Sequence, residues 1–132
     1  MSRAAKTIVA FGVYMALTGA ILVAAPNVLL PLLGLAPTDD PWIRVLGWFM
    51  IVVSYYYFRT ARSEAAEFFR ATVHGRTAMA LFLVFLGIWI AGAGVLVLFG
   101  AAELVGAVAT ALALRAGPTD SPSSSALHRA VR

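Results

Sequence analysis

The chain has 132 residues, of which 61% are hydrophobic and 12% are charged, and its formal net charge is +4. Soluble domains carry about 25% charged residues, so this composition indicates a single-domain membrane protein and excludes an ordinary soluble enzyme. The absence of cysteine excludes disulfides, thiolate metal sites and cysteine nucleophiles.

The first predicted element is a transmembrane helix over residues 7–25, which contain no charged residue. Nineteen residues make a helix of about 28 Å, close to the ~30 Å hydrocarbon core of a bilayer. A secretory signal peptide is the alternative, but its apolar stretch is usually shorter, and Pro26 stands where cleavage would occur. Because Pro26 obstructs a continuing helix, we expect a break there. The apolar segment up to Pro37 then lies at the far interface or forms the wall of a lipid pocket.

The second predicted span covers residues 41–61. It has a sharp helix start, with Asp40 as the capping residue and Pro41 in the first helical position. Arg44 and Arg59 are then expected at opposite membrane interfaces, where long basic side chains can reach water.

A polar stretch over residues 59–76 is the only one between the hydrophobic runs. Its apolar residues recur at helical spacing on one side, with Ser63 placed to cap the helix and Gly75 placed to end it. We therefore predict a short amphipathic helix lying on the cytoplasmic membrane surface.

Residues 77–114 form the longest hydrophobic stretch, with one formal charge at Glu103. As one helix they would extend about 57 Å, so the stretch must fold back on itself. A turn at residues 100–103 leaves a short last span of about 21 Å. A turn at residues 91–94 lengthens that span but buries Glu103 at mid-membrane. An unpaired acid there costs several kcal/mol, so we expect the turn at 100–103.

These elements predict an all-α fold, a four-transmembrane-helix bundle with a short amphipathic cytoplasmic helix between spans 2 and 3. The transmembrane domain covers residues 1–115, with spans at about 7–25, 41–61, 77–99 and 101–114. Residues 116–132 are rich in serine and proline and are predicted to form a disordered cytoplasmic tail.

Lysine and arginine residues fall almost entirely on one side of this four-span scheme. Nine of the ten lie on the side of the two termini, and Arg44 alone lies on the other. The positive-inside rule then places both termini in the cytoplasm, with the protein in the bacterial inner membrane. A three-span scheme would weaken the bias to six against four. The basic residues lie at the ends of the predicted spans and form no patch for nucleic acid, which argues against nucleic-acid binding.

Candidate functional residues are few, because no span offers an unambiguous ionisable group. Arg44 and Glu103 form a candidate polar pair at the outer side, although Asp40 is an equally simple partner for Arg44. A second set consists of interfacial residues that suit a lipid headgroup or a quinone rim: Tyr55, Tyr56, Tyr57, Arg59 and Arg62.

Known catalytic and cofactor motifs are missing from the sequence. His74 and His128 are the only histidines and neither lies in a predicted span, so a membrane haem has no axial ligand. There is no cluster of zinc ligands, no glycine-rich phosphate loop and no paired intramembrane carboxylates. We therefore predict no cofactor, no metal and no catalytic residue.

Several short patterns resemble the small four-helix bacterial inner-membrane proteins of unknown function, broadly the DoxX-like group. They are Leu33–Leu35 after the prolines, Trp42–Gly47 at the start of span 2, Tyr55–Tyr57 at its end, and Arg76 before span 3. The resemblance covers most of residues 7–115, implies the four-helix fold and carries over no catalytic motif. Small multidrug exporters also have four spans but rely on an acidic residue in the first helix, which residues 7–25 lack.

Together these features predict a non-enzymatic integral membrane protein, an accessory or lipid-facing subunit. Its expected partners are the lipid bilayer and a membrane protein or a second copy of the chain. Two alternatives stay open. One is a small oligomeric transporter that uses Glu103 and Arg44, and the other is a membrane enzyme or a lipid- or quinone-binding protein.

Overall fold

The computed structural model describes residues 1–90 and 94–116, and every regular element within those ranges is helical. The elements are α1 (Arg3–Ala24), α2 (Pro26–Leu29), a 3-10 turn (Pro31–Leu33), α3 (Trp42–Arg62), α4 (Ala66–Trp89) and α5 (Val95–Arg115). The predicted all-helical class is thus confirmed. Three helices, α1, α4 and α5, are long and apolar enough to cross a membrane. The predicted tail after Ala116 lies outside the described residues.

The four long helices form two antiparallel hairpins, α1 with α3 and α4 with α5. Helix α1 also packs against α5 and so joins the hairpins. At this joint the hydroxyl oxygens of Thr7 and Thr110 lie 3.0 Å apart. A core at the end near the N-terminus ties α1, α3 and α4 together through a cluster of buried side chains: Ala4, Ala5, Ile8, Tyr57, Ala61 and Phe69.

Two glycines set the spacing of the α1–α3 hairpin. A Cβ added to Gly19 would lie 2.6 Å from the carbonyl oxygen of Gly47, and one added to Gly47 would lie 2.7 Å from the carbonyl oxygen of Gly19. The two backbones therefore touch where both residues lack a side chain. Gly100 plays the same part in the other hairpin, because an added Cβ would lie 2.9 Å from the carbonyl oxygen of Ala80. Helices in lipid associate through such small-residue contacts.

The turn between α3 and α4 holds the N-terminus of the chain. Ser2 donates hydrogen bonds from its backbone N–H and its hydroxyl to the carboxylate of Glu64, at 2.7 and 2.6 Å. The Ser2 hydroxyl oxygen also accepts from the N–H of Ala5 at 3.0 Å and so caps α1. Glu64 adopts a positive φ of 49°, the left-handed conformation that lets the chain reverse between the helices.

The predicted surface helix of residues 59–76 is not a separate element, since α4 runs without a break from Ala66 to Trp89. Gly75 lies inside the helix and does not end it, and nothing approaches within 4 Å of the position of its missing Cβ. The reason is the buried stripe of α4. It includes Phe69 and Thr72 before Gly75, and Arg76 and Ala80 after it. Because the residues on both sides of Gly75 are buried on one face, the helix continues through it.

Helix α4 ends at Trp89 and α5 begins at Val95, and residues 91–93 between them fall outside the described ranges, so the alternative turn at 91–94 falls almost entirely on residues that the structure does not describe. The preferred prediction of a turn at 100–103 is wrong, because α5 runs without a break from Val95 to Arg115. Its premise fails because Glu103 is not an unpaired acid: it forms an ion pair with Arg76. The two helices consequently start at Ala66 and Val95, earlier than the predicted 77 and 101.

The segment between α1 and α3 folds over one end of the bundle. Helix α1 ends at Ala24, directly before Pro26, and the chain then makes α2 and the 3-10 turn. Leu30 points inward and is buried, whereas Val28 and Leu32 are exposed. Asp40 accepts a hydrogen bond from the N–H of Trp42 at 3.0 Å, so it caps α3 as the sequence predicts. Helix α3 thus starts one residue after the predicted position.

We expect the substitution Gly47→Ala to destabilise the protein by about 1–3 kcal/mol, because the added methyl group would force the α1 and α3 backbones apart. The control is Gly75→Ala, which places the same methyl group in open space inside a helix and should stabilise it by up to about 1 kcal/mol. Unfolding of both variants in mixed detergent micelles would measure the difference. Equal stabilities would contradict the close contact.

The contact between Ser2 and Glu64 should make folding sensitive to acid. The Ser2 hydrogen bonds hold the pKa of Glu64 below its ordinary value, with a smaller contribution from the N-terminal ammonium group. The stabilisation is therefore complete above the ordinary glutamate pKa and is lost as the pH falls through the lowered pKa.

Thermal unfolding in detergent across this pH range should show that loss in the wild type, and the substitution Glu64→Gln should remove it. Glu67→Gln, in an exposed ion pair with Arg70, is the matched control and should keep the wild-type pH profile. An unchanged profile in Glu64→Gln would contradict the assignment.

Candidate functional site

A buried ion pair links the two helices of the second hairpin. The Nε atom of Arg76 donates to the Oε2 atom of Glu103 at 3.0 Å. The side chain of Arg76 is 5% exposed and that of Glu103 is 20% exposed. Arg76 lies about 15 Å along α4 from Ala66, and Glu103 lies about 18 Å along α5 from Arg115. The pair therefore sits near the middle of two apolar helices.

The Arg76 guanidinium group is enclosed by α1 and α5. The ring of Phe11, from α1, lies over one face, with the guanidinium carbon 3.4 Å from the ring centre, a cation–π contact. Gly106 of α5 lies against the Nη2 end of the group, and a Cβ there would overlap the Nη2 atom. Only a glycine leaves room for the arginine at this position. The guanidinium plane is therefore fixed by α1 and α5 together.

The far end of the same guanidinium group lacks a partner. Among the described residues, nothing accepts a hydrogen bond from Nη1 or Nη2, although both atoms are buried. Buried donors are nearly always paired, and an unpaired one is costly because it has lost its water.

An apolar cavity of about 330 Å³ lies between the two hairpins, and we refer to it as the central cavity. Its walls come from all four long helices, and Glu103 contributes to its lining. Leucines of the segment between α1 and α3 also line it: Leu29, Leu30, Leu33 and Leu35. This segment therefore forms part of a cavity wall, as the sequence analysis expected, and the carboxylate is the one charged group that borders the space among the described residues.

Two further spaces flank the ion pair. The lateral groove, of about 300 Å³ between α1 and α5, is bordered by Arg76 and Gly106 together with Phe11. A cleft between α3 and α4, also about 300 Å³, is bordered by Arg76 and Glu103. Glu103 does not border the groove, and Gly106 borders neither the cleft nor the central cavity. Arg76 thus borders the groove and the cleft, and Glu103 borders the cleft and the central cavity.

The predicted pair of Arg44 and Glu103 does not form between the side chains that the structure describes. Nη1 of Arg44 donates to the carbonyl oxygens of Val23 and Ala24, the latter at 3.4 Å. These carbonyls belong to the last turn of α1 and lack helical partners, so Arg44 satisfies a helix end. Glu103 takes Arg76 in its place.

The predicted headgroup contacts divide into two sets. Tyr55, Tyr56, Arg59 and Arg62 are exposed on α3. Tyr57 is buried and belongs to the core, with its ring centre 5.6 Å from that of Phe11 and 5.5 Å from that of Phe68. The structure therefore brings four of the five residues to the surface together and removes Tyr57 from the set.

Arg76, Phe11 and Gly106 were missed as functional residues by the sequence analysis, which placed Arg76 at the interface. One sequence signal was available. Arg76 falls on the same helical stripe as Phe69, Thr72 and Ala80, so its side chain faces inward if α4 starts before it. Gly106 follows Glu103 by three residues and so shares its face of α5.

The described residues place one ion pair beside the central cavity. Within residues 1–90 and 94–116, no three histidine, aspartate or glutamate side chains converge as metal ligands. The ion pair places a donor group and an acceptor group among apolar side chains. In comparisons with known proteins, no family model, no curated protein and no solved structure matches this chain.

Breaking the ion pair from one side should cost more than removing it whole. Glu103→Gln leaves the arginine charge buried without compensation, so we expect a loss of about 3 kcal/mol or more in unfolding free energy. The double variant with Arg76→Gln carries no buried charge and should recover part of that loss. Unfolding free energies of the wild type, the two single variants and the double variant in mixed micelles form a double-mutant cycle, which gives the coupling energy of the pair.

The exposed pair of Glu67 and Arg70 provides the matched control for this cycle. Its coupling energy should not exceed about 0.5 kcal/mol, because water screens both charges. Additive losses at Arg76 and Glu103 would contradict a directly coupled buried pair.

Proposed function

We propose that the chain is a four-span protein of the bacterial inner membrane with both termini in the cytoplasm. The fourth span is α3, which is less apolar than the other three long helices because it carries Arg44, Arg59 and Arg62. Support comes from the way α3 packs along α1. Gly19 contacts Gly47 at one end of this contact, and Gly12 contacts Phe58 at the other. A helix packed lengthwise against a spanning helix shares its depth in the bilayer.

The outward surface of α3 supports the same proposal. Large apolar side chains are exposed along it, and Trp48 and Phe49, about two turns from its start, are each 62% exposed. Exposed aromatic residues at that position suit hydrocarbon and not water. The basic residues still favour one side: with Arg76 inside the bundle, eight of the ten lie on the side of the termini and Arg44 on the other.

The function we propose is binding without catalysis: the protein holds a lipophilic molecule in the central cavity, as an accessory or lipid-facing subunit of the membrane. The observation that carries it is an apolar space between the hairpins with a buried ion pair at its edge. Ligand sites are typically apolar with a few placed polar groups, and charges inside a membrane bundle usually serve function.

The other hypotheses receive less support. The transporter hypothesis needs Arg44 beside Glu103, and each of these residues has a different partner. The enzyme hypothesis needs reactive groups beside the site, and no observation on the described residues favours it. We keep the DoxX-like relationship as a proposal, and the short sequence patterns are its only support. We also propose that the protein binds a membrane-protein partner or a second copy of the chain.

Bound lipophiles can be tested by filling the central cavity. The substitution Leu96→Trp adds an indole to a residue that lines the cavity, whereas Leu98→Trp adds it to an exposed residue of the same helix. Native mass spectrometry of protein extracted in mild detergent should show a retained lipophile in the wild type and in Leu98→Trp, reduced at least severalfold in Leu96→Trp. Equal retention in both variants would contradict the proposal.

Topology can be tested with single cysteines, because the natural chain has none. A cysteine at position 39 should react with a membrane-impermeant reagent added outside intact cells. Cysteines at positions 70 and 120 should react only after the membrane is opened. Labelling at 70 or 120 in intact cells, with none at 39, would overturn the four-span orientation.

A further inference from the structure

We propose that the central cavity takes a lipophilic molecule whose uncharged hydroxyl group donates a hydrogen bond to the Oε1 atom of Glu103. The molecule enters from the lipid through the cleft between α3 and α4, and its apolar body fills the cavity. This inference rests on the proposed function, because it names the class of molecule that the central cavity holds.

The first step is an acceptor atom that the protein leaves free. Oε2 of Glu103 accepts from Nε of Arg76, whereas no described residue donates to Oε1. Oε1 is not enclosed either, because the enclosed side-chain atoms that lack a partner among the described residues both belong to Arg76. The Glu103 side chain is accordingly 20% exposed. A carboxylate offers about four lone-pair sites, so Oε1 can accept a hydrogen bond from a molecule beside it.

The second step is the location of Glu103, which lies where two spaces meet. The central cavity and the cleft share three lining residues, Met15, Met79 and Glu103. Glu103 therefore stands at their common boundary. A molecule at this boundary can place a polar group beside Glu103 and an apolar body in the cavity, whose walls are mainly leucine and methionine side chains.

The third step is the charge of the ligand. Arg76 already balances Glu103, so an ammonium group would add an uncompensated positive charge to an apolar site, and an anion would be repelled by the carboxylate. An uncharged donor avoids both penalties. A hydroxyl group is such a donor, and its hydrogen bond to a charged acceptor is stronger than one to a neutral acceptor. Aliphatic alcohols and phenols are two lipophilic sources of this group.

Access is from the lipid on the side of α3 and α4. The cleft lies at the surface of the bundle, because Phe49 and Met79 on its two sides are 62% and 49% exposed. The backbones of α3 and α4 approach each other at few points, so tight helix packing does not close it. Met15 and Met79 border both spaces, and unbranched methionine side chains adapt readily to a passing molecule.

The test is photolabelling of the full chain in nanodiscs with dodecanol that carries a diazirine in its alkyl chain. Mass spectrometry of the resulting peptides identifies the labelled residues. We expect saturable label on residues that line the central cavity, such as Leu83 and Leu96. Label on Leu98, which is exposed on the outside of α5, should not saturate.

Unlabelled competitors then identify the polar group. Dodecanol should displace the cavity label at a concentration about tenfold lower than dodecyl methyl ether, which has the same chain but no O–H donor. The same comparison between nonylphenol and its methyl ether covers the second source, and the pair with the larger difference identifies the source as an alcohol or a phenol. Dodecylamine, a cation at neutral pH, should compete more weakly than dodecanol.

Variants assign the hydrogen bond to Glu103. Glu103→Gln replaces the charged acceptor with a neutral amide, so the preference for dodecanol over its ether should fall severalfold. The double variant with Arg76→Gln should show the same fall without a buried unpaired charge, and it keeps the test available if the single variant does not fold. Glu67→Gln, in the exposed pair, is the matched control and should keep the full preference.

Several results would overturn the hydroxyl anchor. Equal competition by dodecanol and its ether against a saturable cavity label would do so and leave the proposed function standing. An undiminished preference in the double variant, or stronger competition by dodecylamine than by dodecanol, would do the same. Absence of saturable label at Leu83 and Leu96 would also overturn it, and the lipophile retained in native mass spectrometry would then decide whether the proposed function stands.

Discussion

The ion pair between Arg76 and Glu103 fixes how the second hairpin is aligned. In apolar surroundings each charge is tolerated only beside the other, because the Coulomb attraction is strong there and water is absent. Sliding α4 along α5 by one turn, about 5.4 Å, would separate the charges and bury both alone. The pair thereby sets which residues of α4 and α5 face each other.

Phe11 extends the influence of this pair to the first hairpin. Its ring packs on the Arg76 guanidinium group and also lies 5.6 Å from the ring of Tyr57 on α3. One aromatic side chain of α1 therefore contacts both hairpins at the same depth. The glycine contacts set the distance within each hairpin, whereas Phe11 and the pair between Thr7 and Thr110 set how the hairpins meet.

The sequence predicted the first two long helices closely because their ends are marked locally. Pro26 stops α1, and Asp40 caps α3 through the N–H of Trp42. Such signals act over a few residues and can be read from the chain. The prediction failed where no local signal exists. Residues 77–114 are apolar almost throughout, and the turn within them depends on a contact between residues 27 positions apart, which hydropathy does not encode.

The candidate site was missed for the same reason, and its chemistry follows from the pairing. Taken singly, Arg76 resembles an interfacial arginine and Glu103 a costly buried acid. Together they form a neutral unit in which Glu103 borders the central cavity and Arg76 borders the lateral groove. Buried ion pairs are weak contributors to stability compared with apolar packing of the same volume. Because an apolar bundle carries one here at the edge of an open cavity, we propose a binding role for it and not one in stability.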